Sequence, residues 1–306
     1  MAAESLSLPK STKKRVSANA RRIERLAWLF LLPTIIVVVG VAFYPLANTI
    51  YVTFFEAKLG SAKAWEYVGF KNYTKLLGSS QWWESVWVTV RFSFVSVLLE
   101  LVLGLGIALV VNSRFPGRGM LRTAMLVPWA IPTAVSSQMW NWMYNDVFGV
   151  INDLFFRVIP ILERKIAWTA TPELALWALV AVDVWKTTPF MALLLLAGLQ
   201  LIPQDLYEAS AVDGASAWRQ FVSITLPQLR GPIVIALIFR TLDALRVFEL
   251  FWIMTKNVDT MATLNRKNLV DFQKLGYGST ISVAIFVVIG IFVVLYVTLA
   301  MRDEEV

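Results

Sequence analysis

The fifth apolar run of this 306-residue chain carries Arg240, Asp243, Arg246 and Glu249, four charges of alternating sign at a spacing of three. A charge at the centre of a bilayer costs about 2.5–3.5 kcal/mol on insertion scales, so four unpaired, lipid-facing charges on one span would cost roughly 10–14 kcal/mol. They therefore need partners or water. Spacing three makes each a neighbour of the next on a helix surface, and at about 100° per residue the row winds around the helix instead of forming one polar stripe. The fourth run adds Asp183 and Lys186, one turn apart beside Trp185, and the second adds Glu100. Two readings are open. Either the charges pair with one another and with a neighbouring subunit to hold a bundle together, or Asp243 and Arg246 reach a polar path through it.

Composition removes other chemistry. The chain has no Cys and no His, which excludes disulfides, thiol catalysis and thiolate metal sites and takes away the commonest general base and metal ligand. A Ser–Lys or paired-carboxylate enzyme would still be conceivable, but there is no Gly-x-Ser-x-Gly elbow and no obvious Ser partner for Lys186 or Asp183. A phosphate-cradling Gly-x-x-x-x-Gly-Lys-Ser/Thr loop is also missing, down to the Gly-Lys dipeptide. The net charge of +7 includes seven Lys/Arg between Lys10 and Arg25, just before the first apolar run. Such a cluster reads as a membrane topology signal and not as a nucleic-acid patch.

The elements that must position these residues are helices in lipid. The sequence is 58% hydrophobic and 16% charged, against roughly 25% charged in ordinary soluble domains. Several runs exceed the ~20 residues that cross ~30 Å of hydrocarbon. They predict an all-α polytopic bundle with about six spans, near 27–47, 88–111, 120–143, 174–197, 232–255 and 279–300, after a basic tail at 1–26. Leu26–Phe55 is uncharged over 30 residues, too long for a signal-peptide core, and reads as a retained anchor. Lys/Arg totals on the two sides nearly balance, so the dense N-terminal cluster sets the orientation: both termini cytoplasmic, with the loops near Arg114–Gly119 and Leu199–Gly231. The outer loop Asn48–Ser85 suggests short interfacial helices at Lys71–Leu77 and Gln81–Trp87. Pro128 and Pro132 would break the third span, which is tolerated only where a helix is buried in protein or lines a cavity.

One loop has its own structure. Pro203 suits a helix start, Gln204 and Asp205 fall in the first turn, and the helix would run to about Val212. Asp213-Gly214 breaks it, and Asp213 or Ser216 caps a second helix that ends before Pro227. Tyr207, Ala211, Ala215, Trp218 and Phe221 give this hairpin an apolar surface that either lies on the membrane or docks on a partner. Glu208-Ala209-Ser210, Asp213-Gly214-Ala215, Phe221 and Leu226-Pro227 resemble the EAA loop of bacterial ABC importer permeases, with Ser210 for the second alanine as the one departure. The stretches Leu26–Phe55, Val68–Leu77 and Leu193–Pro203 resemble the carbohydrate-uptake branch of that family. Val184–Leu199 and Phe239–Thr255 are similar to the first permease subunit of actinobacterial trehalose importers.

The resemblance implies a permease transmembrane domain over 27–306, forming half of a heterodimer in the bacterial cell membrane and importing a disaccharide such as trehalose. It implies three partners: a second permease subunit, a pair of ATPase subunits that carry the ATP and Mg, and an extracytoplasmic sugar-binding protein. No cofactor is expected in this chain and no nucleic acid. The loop would be the coupling helix held in a groove of the ATPase, through Glu208, Ala209, Asp213, Gly214, Ala215, Phe221 and Pro227. Sugars are bound by aromatic stacking and dense hydrogen bonding. Trp140, Asn141, Lys186, Asp243, Arg246, Phe248 and Glu249 offer those chemistries, although aromatics near span ends also suit the interfacial belt. The runner-up reading is a secondary transporter or channel for a polar solute.

Overall fold

The computed structural model describes residues 18–61, 64–113 and 115–301. Most of the basic tail, with Lys63, Arg114 and Arg302, lies outside the described residues. The chain divides into two compact units, residues 1–51 and Val52–Val306.

The first unit is built on α1, the helix Arg22–Val52, whose last residue belongs to the second unit and which contains a π turn at Val39–Phe43. It is apolar on every side, with Phe30, Ile36, Val41 and Phe43 all exposed. A helix that is hydrophobic all round takes lipid or protein, not water, as its solvent.

The second unit opens with a short antiparallel pair, β1 (Phe55–Glu56) and β2 (Glu66–Tyr67), and α2 (Lys71–Leu77). Next come α3 (Ser80–Asn112), α4 (Arg118–Met125), α5 (Val127–Ala130) and α6 (Thr133–Met143). They are followed by α7 (Val150–Asp153), α8 (Pro172–Leu199), α9 (Gln204–Val212) and α10 (Ala217–Gln228). The unit closes with α11 (Arg230–Ala244), α12 (Glu249–Met254), α13 (Met261–Arg266) and α14 (Leu275–Met301). Gln81–Trp87 is not a separate interfacial helix, as expected above, but the first turns of α3. Ser79 caps that helix through its side chain at Trp82 N, so the helix begins early and carries the tryptophans with it.

Among the described residues, α1, α3, α8 and α14 are long and apolar enough to cross a membrane, and α10 with α11, bent by 63°, would be a fifth. The third apolar run is not one helix. It breaks after Ala130, where Ile131 and Pro132 are extended, because Pro132 has no N–H to give to the preceding turn. The fifth run also breaks: α11 ends at Ala244, the amides of Arg246 and Val247 close tight turns onto Asp243 and Ala244, and α12 starts only at Glu249.

The most buried long helix is α8, which packs along α3, with α11 against both. On α3 the buried residues include many small ones, Ser85, Thr89, Ser93, Ser96, Gly104 and Ala108, beside the larger Trp82, Phe92, Val97 and Glu100, and the small ones let two backbones approach where lipid gives no hydrophobic drive to pack. A Cβ on Gly104 would lie 2.8 Å from Met191 Cγ and 3.2 Å from Ala192 N. Gly104→Val is therefore expected to cost about 1–3 kcal/mol by overpacking and to lower the melting temperature of the solubilised protein. Gly106→Val, whose Cβ meets nothing, is the silent control; equal melting of the two variants would contradict this account of the crossing.

Candidate functional site

Where the broken third and fifth runs face α8, they leave a cavity of about 370 Å³. Its wall takes Trp129 and Thr133 from the first break, Asp183, Lys186 and Thr187 from α8, Asp243 from the end of α11, Arg246 and Phe248 from the second break, and Glu249 from the start of α12. The two breaks are what bring these groups together: on an unbroken helix Arg246 would still neighbour Asp243, but Glu249, six residues on, would wind about 120° away from it.

Arg240 is the hub behind the wall. It is 2% exposed, and its guanidinium reaches three carboxylates at once. Nε donates to Glu100 Oε2 at 2.5 Å and Nη2 to Glu100 Oε1 at 2.8 Å, while Nη1 donates to Asp243 Oδ2 and Nη2 approaches Asp183 Oδ2 at 3.3 Å. Glu100, fully buried on α3, also lies 2.7 Å from Thr187 Oγ1. The planar five-donor fork suits this bidentate pairing, and it ties α3, α8 and α11 together. The expected row of four charges on one helix is corrected. Arg240 and Asp243 do pair at i,i+3, but Arg246 sits in the break and Glu249 in the first turn of α12, where a carboxylate meets the positive end of the helix dipole.

Lys186 does a different job. Its Nζ donates to Ile131 O at 2.7 Å and lies 3.4 Å from Trp129 O, so the ammonium satisfies carbonyls that the break at Pro132 leaves without helical donors. The lysine thus fixes Trp129, whose ring stacks on Phe190 at 5.6 Å and 12° and lines both this cavity and a neighbouring one of about 270 Å³.

Of the sequence-derived candidates, Lys186, Asp243, Arg246, Phe248 and Glu249 line the cavity. Trp140 and Asn141 do not. Trp140 packs into the core beside Tyr144 and Trp185, at 5.5 and 5.4 Å between ring centres. The tryptophan of the wall is Trp129, which shares it with Phe248. Its position between Pro128 and Pro132 was the available signal, since a proline-broken segment is where a ring can stand in a cavity. Thr187, next to Lys186, and Asp183 complete the polar set.

The loop between α8 and α11 is a second candidate site. Asp213 closes α9, and Gly214 takes φ +77°, which glycine adopts without Cβ strain. The amides of Asp213, Gly214 and Ala215 close onto Ala209, Ala211 and Ser210 carbonyls, and the Ser216 side chain caps α10 at Arg219 N. The helices are tied side to side: Tyr207 Oη meets Thr225 Oγ1 at 2.9 Å, and Gln220 Nε2 donates to Ser210 Oγ at 2.9 Å and Tyr207 O at 3.2 Å. Ser210, the departure from the alanine pattern, is therefore a strut of the hairpin. The second helix does not end before Pro227 as expected. A π turn at Phe221–Thr225 carries Leu226 N to Phe221 O, and the helix runs through Pro227 to Gln228. Glu208, Ala209, Asp213, Gly214 and Pro227 are exposed, Ala215 and Phe221 half-buried, with Val212 (88%) and Trp218 (72%) standing out as bare apolar surface.

Residues 100–303 match the family described as binding-protein-dependent transport system inner membrane component. The chain is 44% identical over 286 residues to the trehalose/maltose transport system permease protein MalF of Thermococcus litoralis, covering 90% of this chain and 93% of that one. It is 40% identical to the sulfoquinovosyl glycerol transport system permease protein SmoG of Agrobacterium fabrum, over 85% of each chain. It is 37% identical to the trehalose transport system permease protein SugA of Mycobacterium tuberculosis, over 90% and 88%. A solved bacterial ABC transporter that imports the acidic polysaccharide alginate shares the fold, with a TM-score of 0.80 at 22% identity, covering 94% of this chain and 99% of that chain. With the match spanning residues 100–303 and relatives aligned nearly end to end, the chain belongs to the binding-protein-dependent inner membrane components, the permease subunits of ABC importers.

Proposed function

We propose that the chain is one half of the translocation path of an ATP-driven importer of a disaccharide of the trehalose or maltose type, with six spans and both termini cytoplasmic. The cavity is the sugar's station on the way through, and the hairpin Gln204–Gln228 is the lever through which a separate ATPase drives it. The observation that carries this reading is the cavity: a stacking face at Trp129, with acceptors and donors at Asp183, Thr187, Asp243 and Glu249 around it. At about 370 Å³ it is within the range of small-ligand sites. The relatives named for trehalose and maltose support the cargo. The alginate transporter solved with a pentasaccharide-bound periplasmic protein supports a binding-protein partner. The exposed Val212 and Trp218 on an internally braced hairpin suit insertion into a partner's groove.

In this scheme closure of the ATPase pair moves the hairpin as a rigid piece. The α10–α11 bend, at Leu229, passes that motion into α11, whose Arg240 grips α3 and α8 together. The cavity then opens outward to receive sugar from the binding protein, and hydrolysis resets it. The test is ATPase stimulation of the reconstituted four-part complex by a panel of solutes presented with the cognate binding protein. Trehalose or maltose is expected to stimulate, and Trp129→Ala to raise the half-saturating sugar concentration about tenfold, from loss of roughly 1.4 kcal/mol of stacking. Stimulation by amino acids or peptides and not by sugars would overturn the cargo; an unchanged response in Trp129→Ala would overturn the cavity's role.

A further inference from the structure

Where α3 and α8 end, at Asn112 and Leu199, a cavity of about 630 Å³ opens beside the hairpin, and neither the proposed sugar path nor the proposed docking face uses it. It is basic: Arg118 and Arg122 of α4 line it, and no Asp or Glu does. Arginine keeps its charge at any working pH, so both positive charges stand. Arg118 is exposed, with no hydrogen-bond or ion-pair partner among the described residues. Arg122 is half-buried; its Nη2 donates to Val111 O at 3.2 Å, while its Nε is buried without a partner. Buried N–H groups nearly always find an acceptor, and two guanidinium forks on one wall suit an oxyanion that the chain itself does not supply. Gln200 adds an amide, and Tyr207 forms the wall on the hairpin side, where its Oη is tied to Thr225.

Position narrows the choice of anion. The ends of α3 and α8 mark the membrane boundary. Met120, between the two arginines, and Leu201, beside Gln200, are largely exposed. A basic pocket between span ends with apolar surface around it suits the phosphate of a lipid headgroup, whose chains can lie along the apolar side. We infer that this cavity binds a phosphate group, presented by the headgroup of an anionic phospholipid. A group held there touches the span ends and the hairpin at once. The inference does not depend on which solute passes through the bundle.

The experiment titrates phosphatidylglycerol and phosphatidylcholine into the detergent-solubilised complex of both permease subunits and the ATPase pair, and reads bound lipid by native mass spectrometry. The parent is expected to bind phosphatidylglycerol about 25-fold more tightly, because the cation of phosphatidylcholine offsets its own phosphate. Arg118→Gln is expected to weaken phosphatidylglycerol about fivefold, and Arg118→Gln with Arg122→Gln to bring it to the phosphatidylcholine level. Should the double variant not assemble, the Arg118→Gln arm decides alone, since that side chain braces nothing. Arg219→Gln, which removes an exposed positive charge of the hairpin away from the cavity, is expected to change binding less than twofold. A parent without preference, or an equal loss from Arg219→Gln and Arg118→Gln, overturns the inference. Millimolar inorganic phosphate separates the sources of the group. If the bound lipid stays, the headgroup is the ligand; if phosphate displaces it with the same dependence on Arg118, the lipid source is overturned and the site takes phosphate from solution.

Discussion

Gly214→Trp and Glu208→Lys are each expected to reduce transport at least 100-fold while leaving the protein inserted and monodisperse with its partners' expression unchanged. Gly214 holds φ +77° with open space around it, so any side chain there carries left-handed strain of about 1–2 kcal/mol, and an indole would also stand on the proposed docking face. Glu208 is exposed on α9 with no partner among the described residues, so reversing its charge disturbs the face and not the hairpin. Swinging a two-state transporter from 1:99 to 99:1 takes about 5.5 kcal/mol of differential interaction, and only a tightly seated lever passes that on. Substitutions at Gly214 should grade, with Asn mildest, since it tolerates the left-handed region, then Ala, then Trp. Ser210→Ala, which removes the strut to Gln220, should cost about 1 kcal/mol of hairpin stability and a few-fold in rate. Vesicle uptake of labelled sugar reads all of these; normal uptake in either Gly214→Trp or Glu208→Lys refutes the coupling role.

The second large effect is expected at Arg240. Arg240→Met leaves Glu100 fully buried and facing no cation, the case in which removing one partner of a buried ionic cluster costs about 3–5 kcal/mol. A fall of roughly 10 °C in the melting temperature of the solubilised complex should follow. Arg240→Lys should recover little, because one ammonium cannot reach the positions now served by Nε, Nη1 and Nη2. Adding Glu100→Gln to Arg240→Met should restore about half of the loss, since the unpaired buried charge is what that variant suffers from. Melting of Arg240→Met at the parent temperature would show that the cluster does not hold the bundle together.

The same cluster bears on the two readings of the charged row. Arg240 pairs within the chain and joins α11 to α3 and α8, while Asp243, Arg246 and Glu249 line a cavity. One row takes both positions because the helix breaks between Ala244 and Glu249.

Much was legible in the sequence. Uninterrupted apolar length dictates helices in lipid, because there the backbone has no other way to satisfy its hydrogen bonds. The Asp213-Gly214 break, α9 from Gln204 to Val212 and α2 from Lys71 to Leu77 follow from local turn and cap chemistry that acts over four or five residues. The spacing from Glu208 to Pro227 carried the family. What tertiary structure alone decided is which charge meets which. Glu100 and Arg240 are 140 positions apart and Lys186 reaches Ile131 across 55, distances over which periodicity carries no information. The break at 245–248 has no proline or glycine to announce it, and so the cavity wall, and the choice of Trp129 over Trp140 as its aromatic face, came only from how α8 packs against the two broken runs.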